Sequence, residues 1–490
     1  MSATSTVRRP SAPRPATPAG PLYRRLADEL TELVTSGALR PGDRLPGVRG
    51  LARQRRVSLA TVLAAYRLLE DRGVIDVRPQ SGHYVASRPL VAAPRPEPSR
   101  PPVAREEVNV AELVEDLLSR VNDPGVVPFG VASTDPAAYP GRRLNTILAR
   151  LARDPALLGI TYGPPRGQPE LIHQIVRRAV AQGITLDPSE ILVTNGATEG
   201  IQIALRTVTR PGDTILVESP TYYGILNLAE GLGLKVVELP TCTEEGLEPQ
   251  HIEPVLRRLK ARVLVTMPTA HNPLGSTMPE VERKKLVDVC SEFGVTIIED
   301  GVYAELHYDT PRPRSLRAFA DRRADIISIG SFSKTVAAGY RVGWLAAGKH
   351  IKAIGRSGFS NSMQANALAQ LAIAEYLAGH GAEHHLRGLR QRYRSQVADF
   401  SCAIAKYFPP GTKLTRPTGG HLLWLQLPEG VDALQLARKA LKVGIGLMPG
   451  RVFAPGERYV NCLRFNCGFP MTDRLESKVA ELGQLVVRAM

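Results

Sequence analysis

One lysine of this 490-residue chain stands in an unusual setting for its residue type. Lys334 lies in the stretch SFSKTVAAGYRVGW, residues 331–344, among hydroxyl side chains, apolar runs and an arginine. Lysines usually lie on wet surfaces beside other charges. A lysine amine attacks a carbonyl group only after losing its proton, so a reactive lysine needs surroundings that lower its pKa. The stretch predicts such surroundings for Lys334.

Residues upstream of Lys334 match the parts of one cofactor, pyridoxal 5'-phosphate. Its aldehyde forms a Schiff base with a lysine, and the protein must also hold a phosphate, a pyridine nitrogen, a phenolate oxygen and a flat ring. The segment VTNGATEGIQIAL, residues 193–205, predicts a strand, a turn of small residues and a helix. The backbone N–H groups of Gly196, Ala197 and Thr198 at the start of that helix would bind the phosphate.

The ring of this cofactor has its own candidates. Tyr222 follows the apolar run TILVESP, and its flat side chain could stack on the pyridine ring. Asn272 offers a donor to the phenolate oxygen. Asp300 ends the run TIIED, where it is suited to pairing with a protonated ring nitrogen, and Tyr303 lies three residues later.

The joint order of these residues carries more weight than any one of them. Alone, Asp300 would more often cap a helix, Tyr222 would lie in a core and Arg341 would form a surface pair. Ser331, Ser333 and Arg341 flank Lys334, and a guanidinium suits a phosphate. A phosphate turn, Tyr, Asn-Pro, Asp-x-x-Tyr, Ser-x-Ser-Lys and Arg in this order indicate a pyridoxal phosphate site.

The elements around these residues predict a largely parallel sheet. Short apolar runs, such as EILVTNG, VLVTMP and DIISIGSFS, alternate with longer amphipathic stretches from residue 106 onward. This alternation is typical of a sheet covered by helices on both faces. Functional groups in such a sheet belong at the carboxyl ends of its strands.

This constellation resembles the fold-type I aminotransferases over nearly all of residues 106–490. The resemblance implies a mainly parallel seven-stranded sheet in a large domain, a small α+β domain, and a homodimer with sites between subunits. It implies that Tyr162, in YGPPRGQPELI, contacts the phosphate of the partner subunit. Arg464, in LRFNCGF, matches the arginine that binds a substrate α-carboxylate.

The first fifth of the chain is strongly basic. Residues 1–105 contain 18 Arg, no Lys and 8 acidic residues, a formal net charge of +10, whereas the whole chain carries +15. A basic segment on a nearly balanced body indicates a polyanion partner for that segment, with a merely solvated tail as the alternative.

Residues 21–88 predict a DNA-binding fold. Helical periodicity from Leu22, the short helix VRGLARQRRV, and a third helix capped by Ser58 are followed by two strands around PQSG. This pattern is typical of a helix-turn-helix with a wing. It resembles the winged helix of GntR-type regulators, which implies DNA contacts by five residues: Arg49, Ser58, Thr61, Gly82 and His83. Two positions depart from the family pattern, Gly47 and Leu59, so the operator sequence stays open. A winged helix that contacts protein is the alternative.

The whole chain therefore resembles a MocR-type regulator. We expect a disordered basic tail at 1–20, a winged helix at 21–88, a Pro-rich semi-stiff linker at 89–106 and an aminotransferase-like domain at 107–490. The resemblance implies a transcription factor whose Lys334 Schiff base senses an amine, an amino acid or the cofactor itself. A working aminotransferase with an appended DNA-binding domain is the first alternative. A cofactor carrier that only dimerises the DNA-binding heads is the second.

The remaining composition narrows the class of protein. The five cysteines are scattered without metal-ligand spacing, so we expect no metal site and a reducing compartment. No apolar run approaches the length of a membrane span. We expect a cytoplasmic homodimer that binds double-stranded DNA and a small amine.

Overall fold

The computed structural model describes the chain with short gaps. The described residues are 21–40, 42–71, 74–78, 82–85, 93–121, 123, 125–153, 161–180, 183–309 and 311–490. The chain divides into two compact units, Met1–Arg88 and Pro89–Met490. Several predictions fall outside the described residues, namely those for the tail at 1–20, the wing turn at 79–81 and the linker residues 89–92.

The first unit contains three helices followed by a hairpin. The helices are α1 (Leu22–Thr35), α2 (Val48–Arg55) and α3 (Leu59–Asp71), and the strands are β1 (Ile75–Arg78) and β2 (Gly82–Val85). β1 and β2 pair antiparallel. This arrangement confirms the predicted winged helix-turn-helix, with α3 as the second helix of the motif and the hairpin as the wing.

A small apolar core orients the three helices. Leu26 and Leu30 enter it from α1, Leu51 from α2, and Val62 and Leu69 from α3, each at most 5% exposed. Leucines four residues apart share one face of a helix, so α1 buries a single stripe. The core therefore fixes α3 and leaves its opposite face in solvent.

The second unit alternates helices and strands. Its helices are α4 (Ala111–Val121), α5 (Gly141–Leu151), α6 (Pro169–Ala179), α7 (Ala197–Val208), α8 (Tyr223–Gly231), α9 (Ile252–Arg258), α10 (Glu280–Glu292), α11 (Ile351–Ser362), α12 (Ala367–Ala378), α13 (Ala382–Tyr407), α14 (Ala433–Leu441) and α15 (Asp473–Val487). Its strands are β3 (Val127–Pro128), β4 (Ile191–Thr194), β5 (Thr214–Glu218), β6 (Lys235–Leu239), β7 (Thr241–Cys242), β8 (Gly246–Leu247), β9 (Ala261–Thr266), β10 (Thr296–Asp300), β11 (Ile326–Ser331), β12 (Gly343–Ala346), β13 (Lys413–Leu414), β14 (Leu422–Gln426), β15 (Ile445–Gly446), β16 (Met448–Pro449) and β17 (Cys462–Asn466).

A seven-stranded sheet organises the large domain. Its order is β4-β12-β11-β10-β9-β5-β6, and β12 runs antiparallel to both of its neighbours. The pairs among β11, β10, β9, β5 and β6 are parallel, which confirms the mainly parallel sheet. In β5, Ile215 and Val217 pack in one apolar cluster with α7 and α8, while Leu216 packs in another with α9 and α10. Helices therefore cover both faces, and the strands are apolar throughout.

A second, smaller sheet forms the α+β domain near the C-terminus. Its order is β13-β14-β17-β16, with antiparallel pairs. Phe400 of α13, Phe465 of β17 and Leu482 of α15 are fully buried in one cluster that holds the helices on the sheet. The small domain implied by the resemblance is thereby confirmed.

Residues 93–106, expected to belong to a linker, lie against the second unit. The N–H of Leu414 donates to the carbonyl of Pro94 at 3.0 Å, and Glu106 and Val236 exchange two backbone hydrogen bonds at 2.8 and 2.9 Å. Proline holds φ near −65° and cannot donate a hydrogen bond, which favours the extended course. This segment is packed on the body of the second unit rather than free in solvent.

None of the helices formed by the described residues is long and apolar enough to cross a membrane.

Candidate functional site

The predicted phosphate residues meet beyond the end of β4. α7 begins at Ala197, directly after Gly196, whose φ is +85°. The Arg341 guanidinium lies so close to Gly196 that a Cβ at this position would overlap it. The free N–H groups of a helix start and a guanidinium both attract a phosphate. Gly196, Ala197, Thr198 and Arg341 thus form a cradle that fits this group.

The two predicted serines shape the loop that carries Lys334. The N–H of Ser333 donates to Ser331 Oγ at 3.1 Å, and Ser333 Oγ accepts a hydrogen bond from Arg341 Nη1 at 3.1 Å. Arg341 has a φ of +51°, and this left-handed turn leads the chain back into β12. The loop between β11 and β12 therefore holds both serines, the lysine and the arginine in one place.

Lys334 is partly buried rather than exposed. Its Nζ donates a hydrogen bond to the Ala132 carbonyl at 2.6 Å. Burial, together with the charges of Arg464 and Arg341, lowers the pKa of Lys334 from 10.5 to about 8, against the opposite effect of Asp300. A neutral amine is therefore accessible close to neutral pH, as a nucleophilic lysine requires.

Asp300 lies at the carboxyl end of β10 and is only 2% exposed. Burial raises the pKa of its carboxyl from 3.8 to about 6, against the effect of the Val302 N–H, which donates to Oδ1 at 3.0 Å. A cation beside this carboxyl would favour its ionised form. A protonated pyridine nitrogen is such a cation, so Asp300 fits the ring nitrogen.

Two donors are available for a phenolate oxygen. The Tyr303 hydroxyl is buried and has no hydrogen-bond partner among the described residues. Burial raises the pKa of Tyr303, so this hydroxyl keeps its proton. Asn272 Oδ1 accepts a hydrogen bond from Arg464 Nη1 at 3.2 Å, which leaves the Asn272 amide nitrogen to donate elsewhere.

Tyr222 immediately precedes α8 and is partly buried. Its ring centroid lies 4.7 Å from that of Tyr223. Burial raises the pKa of Tyr222, and Arg464 and Asp300 lie near enough to influence it as well. The flat side chain thus borders the same cluster as the predicted ring-nitrogen partner.

Arg464 is fully buried in β17. Its Nη1 donates to Asn272, its Nη2 donates to the Gly130 carbonyl at 2.7 Å, and its Nε has no partner among the described residues. The guanidinium carbon lies 5.3 and 5.2 Å from the ring centroids of Tyr223 and Phe453. A buried guanidinium with a free donor fits a substrate carboxylate.

Tyr162 lies apart from this buried cluster. Its side chain is 82% exposed, although the N–H of the next residue, Gly163, donates to Gln364 Oε1 at 2.6 Å. Within one chain the structure does not bring Tyr162 to the site. A contact with the partner subunit's phosphate therefore stays a prediction.

Two of the candidate DNA-contacting residues, Ser58 and Thr61, lie at the start of α3. The N–H of Thr61 donates to Ser58 Oγ at 3.0 Å, and the two hydroxyl oxygens lie 2.8 Å apart. This is a helix cap, which occupies part of the hydrogen-bonding capacity of Ser58. Arg49 is exposed on α2.

The wing is anchored to α3 through a ring contact. The His83 ring centroid lies 4.5 Å from that of Tyr66, whose hydroxyl donates to the Pro46 carbonyl at 2.6 Å. Burial lowers the pKa of His83, so the ring favours its neutral form. Gly82 begins β2 with a φ of +118°. His83 is therefore partly taken up by packing, which limits what it can offer to DNA.

Sequence reasoning missed two buried histidines beside the cofactor cluster. His271, next to Asn272, has its Nε2 3.2 Å from Glu218 Oε2, and both side chains are 1% exposed. His421, in the segment GGHLLW, is 0% exposed. A lone histidine carries no sign of burial in a sequence, so only the fold reveals these two. Among the described residues no group of His, Cys, Asp and Glu could hold a metal ion.

Two families match separate parts of the chain. Residues 22–85 match the bacterial regulatory proteins of the gntR family, and residues 160–479 match aminotransferase class I and II. The uncharacterized HTH-type transcriptional regulator YdcR of Escherichia coli K12 is 37% identical, over 95% of this chain and 98% of that relative. The alignment spans both matched regions. The chain is a MocR-type regulator of the GntR family.

Solved structures similar to the second domain of this MocR-type regulator are aminotransferases. The kynurenine aminotransferase of Pyrococcus horikoshii, in complex with PMP, has a TM-score of 0.71 and 27% identity over 77% of this chain and 95% of its own. LysN of Thermus thermophilus, complexed with N-(5'-phosphopyridoxyl)-L-leucine, has a TM-score of 0.69 and 26% identity over 77% and 93%. Pyridoxal 5'-phosphate is the cofactor of this domain, and the GntR domain of the regulator is a DNA-binding domain.

Proposed function

We propose that this MocR-type regulator controls transcription in response to an amine or amino acid, or to the cofactor itself, detected at Lys334. The observation that carries the proposal is a lysine with a lowered pKa, inside a site with a partner for each part of the cofactor, on the same chain as a winged helix. A ligand changes DNA affinity only if it binds one conformation better than another.

Each candidate residue of the second domain would bind a different part of the cofactor. Pyridoxal phosphate, when bound, supplies an aldehyde that condenses with primary amines and a ring that withdraws electrons. Lys334 would hold the aldehyde, and its amine, when free, would accept or return a proton. Asp300 would pair with the protonated ring nitrogen, since that charge stabilises its carboxylate. Tyr222 would contact the ring.

The arginines distinguish the two anionic groups that reach the site. Arg341, beside the start of α7, neutralises the phosphate. Arg464 binds the α-carboxylate of an amino acid, and its hydrogen bond to Asn272 joins this position to the cofactor. The two cations also keep the Lys334 amine closer to its neutral form.

We place the regulator in the cytoplasm as a homodimer on double-stranded DNA. The exposed Tyr162, 82% accessible in one chain, supports a role completed by a second chain. Two winged helices in one dimer would contact two half-sites, whose spacing follows the dimer geometry. In each head, Arg49 and the hydroxyls of Ser58 and Thr61 would meet phosphates or base edges.

An active aminotransferase with an appended DNA-binding domain is the second candidate. The observation in its favour is that the described residues include candidates for each step, namely Lys334 for the proton transfer, Arg464 for the carboxylate and Asp300 for the ring nitrogen. Transamination needs two substrates in turn at one site, whereas sensing needs only reversible binding of one.

One experiment separates the two candidates. DNA fragments selected by the full-length holoprotein from a random library are titrated at fixed salt, with and without a panel of amines and amino acids. We expect at least one to change the Kd for DNA about fivefold or more, within the usual range of coupling between two sites. Brisk turnover with 2-oxo acids and no effect of any amine, or of cofactor removal, on DNA affinity would favour the enzyme.

The role of Lys334 has its own control. Lys334→Ala should lose the protein-bound adduct that borohydride traps, whereas Lys284→Ala, at an exposed lysine of α10, should keep it. An unchanged adduct in Lys334→Ala would overturn the assignment of this lysine.

A further inference from the structure

His421 is a buried side chain in the wall of the site that has no role in the function proposed above. It immediately precedes β14 and is 0% exposed. Its ring centroid lies 4.8 Å from that of Tyr393 and 5.7 Å from that of Tyr303. The Nζ of Lys334 lies 6.0 Å from the centroid of the same Tyr303 ring. The amine and the imidazole are therefore neighbours of one tyrosine.

The imidazole of His421 is neutral under physiological conditions. Burial, together with the charges of Lys334 and Arg464, lowers the pKa of His421 from 6.5 to about 3, against a smaller opposite effect of the Ala132 backbone. A neutral imidazole has one N–H that donates and one nitrogen that accepts. His421 thus presents two hydrogen-bonding atoms in a dry environment.

Neither ring nitrogen of His421 has a partner with hydrogen-bond geometry among the described residues. The Ala132 backbone lies close enough to one ring nitrogen to raise the pKa of His421 against the larger effects that lower it. The Tyr393 hydroxyl lies 2.9 Å from Thr134 Oγ1, and the Ala132 carbonyl accepts the hydrogen bond from Lys334. Buried donors and acceptors are rarely left unpaired because their desolvation is then uncompensated. At least one of the two nitrogens is therefore left for a ligand.

The cofactor itself does not require His421. Its phosphate has the start of α7 and Arg341, its ring nitrogen has Asp300, and its phenolate oxygen has Asn272 and Tyr303. The α-carboxylate of an amino acid has Arg464. The group that still lacks a polar partner is the side chain of the amino acid that reaches Lys334.

We infer that His421 binds this side chain, and that the side chain is uncharged and ends in a hydroxyl or an amide. The inference rests on amino-acid binding at Lys334, and it names the class of ligand for that site. With the amine at Lys334 and the carboxylate at Arg464, the side chain is left to face the remaining wall, where His421 and Tyr393 lie.

Charge and polarity decide the class of side chain. The two groups named on this wall, His421 and Tyr393, carry no negative charge that could neutralise a buried cationic side chain. A neutral imidazole does not neutralise a side-chain carboxylate, which would be buried without a cation of its own. An apolar side chain would leave at least one nitrogen of His421 unpaired. A hydroxyl or an amide satisfies the ring without adding charge.

The test compares amino acids of matched shape. The holoprotein is titrated without DNA, and the absorbance of the cofactor gives the Kd for L-threonine against L-valine and for L-glutamine against L-methionine. We expect the polar member of at least one pair to bind about tenfold more tightly. Equal affinities within both pairs, or tighter binding of L-glutamate than of L-glutamine, would overturn the inference.

Two variants assign the preference to His421. His421→Leu should reduce the ratio within the discriminated pair to about twofold or less, because it removes both hydrogen-bonding atoms. His421→Gln keeps a donor and an acceptor and should restore part of the ratio. The pair L-alanine and L-2-aminobutyrate, both apolar, serves as the control whose ratio should not change. If His421→Leu keeps the wild-type ratio of Kd values, the inference is contradicted. If neither variant retains cofactor, the ratios measured with the wild type decide the inference.

The outcomes for the two proposals are distinct. A DNA affinity that no amine changes would contradict the proposed regulation. It would not affect the ratios of Kd between the amino acids of each pair. Equal Kd values within both amino-acid pairs would contradict the role of His421, even if some amine alters DNA affinity.

Discussion

Arg464 and Asn272 are joined by a hydrogen bond of 3.2 Å, from Nη1 of the arginine to Oδ1 of the asparagine. They come from opposite parts of the second unit, since Asn272 follows β9 of the large domain and Arg464 lies in β17 of the small domain. The residue suited to the substrate carboxylate is therefore tied to a residue suited to the cofactor oxygen. A ligand that displaces or strengthens this bond acts on both domains together.

Replacing Arg464 should weaken amino acids selectively. In Arg464→Met holoprotein we expect the Kd for L-alanine to rise about 10- to 100-fold, because a charge-assisted hydrogen bond contributes roughly 1.5–3 kcal/mol. The Kd for ethylamine, which has no carboxylate, should change less than about threefold. Both values come from titrations of the cofactor absorbance.

The control for this prediction keeps the positive charge at position 464 but removes the planar guanidinium. Arg464→Lys offers a point charge without the planar fork of a guanidinium, so it should restore only part of the discrimination between L-alanine and ethylamine. Equal losses for both ligands in Arg464→Met would show that the arginine acts on the site as a whole.

Asp300 should make the stability of the cofactor-free protein depend on pH. Its pKa is about 6 in the folded protein and 3.8 in the unfolded chain, so the folded state binds more protons between these values. Stability should then fall as pH rises from about 4 to about 6, by up to about 3 kcal/mol for a shift of this size. In Asp300→Asn this fall should disappear, and above pH 6 the variant should be the more stable protein.

The measurement is urea unfolding followed by the fluorescence of Trp344 and Trp424, both in the second unit. Asp473→Asn, at an exposed aspartate of α15, is the matched control and should keep the wild-type pH dependence. The same fall in Asp300→Asn as in the wild type would show that another group causes it. With cofactor present, Asp300→Asn should bind pyridoxal phosphate more weakly, because the ring nitrogen loses its anionic partner.

The grouping of the candidate cofactor residues was predictable because the chemistry of such a site dictates residue types at strand ends. Gly196, Tyr222, Asn272, Asp300 and Lys334 each follow or end an apolar run, and parallel strands bring their carboxyl ends to one edge. The structure does place these residues around one cluster. The number of strands was implied by the resemblance, but nothing in the composition of β12 marks it as antiparallel. Its direction follows from the short return of the chain after the Lys334 loop.

The missed features depend on contacts between distant parts of the chain. Proline content predicted a semi-stiff linker at 89–106, but the packing of residues 93–106 depends on pairing with the edge strand β6 through Val236. His421 became informative only when the fold left its two nitrogens without a partner among the described residues. A single sequence does not show which groups surround a residue in the fold, so it cannot show that a hydrogen-bonding partner is missing.

Arg49 should contribute a phosphate contact. Arg49→Ala should weaken DNA binding at every sequence tested by a similar factor and reduce the slope of log Kd against log salt by about one, as expected for one lost phosphate contact. The absorbance of the cofactor should not change. Arg322→Ala, at an exposed arginine of the second unit, is the control for general charge effects. Wild-type affinity of Arg49→Ala across a salt series would contradict the docking of α2 and α3 on DNA.

Arg458 should be the residue that holds the segment 93–106 on the second unit. Its guanidinium donates two hydrogen bonds of 3.0 Å to the carboxylate of Glu106 and also pairs with Glu238, which is 1% exposed at its side chain. Arg458→Met leaves Glu238 buried without its cation, so we expect it to destabilise the second unit by about 3 kcal/mol or more. Hydrogen exchange of residues 93–106 should accelerate.

Two further variants distinguish the effect on the segment 93–106 from the effect on the stability of the second unit. Glu106→Gln breaks only the partly exposed pair, so it should cost less than about 1 kcal/mol while still accelerating exchange in 93–106. The double variant Arg458→Met with Glu238→Gln removes the unpaired charge and should recover much of the stability lost in Arg458→Met. Urea unfolding and exchange followed by mass spectrometry give both quantities. Unchanged exchange in Glu106→Gln and Arg458→Met would show that backbone pairing with β6 holds the segment without the ion pair.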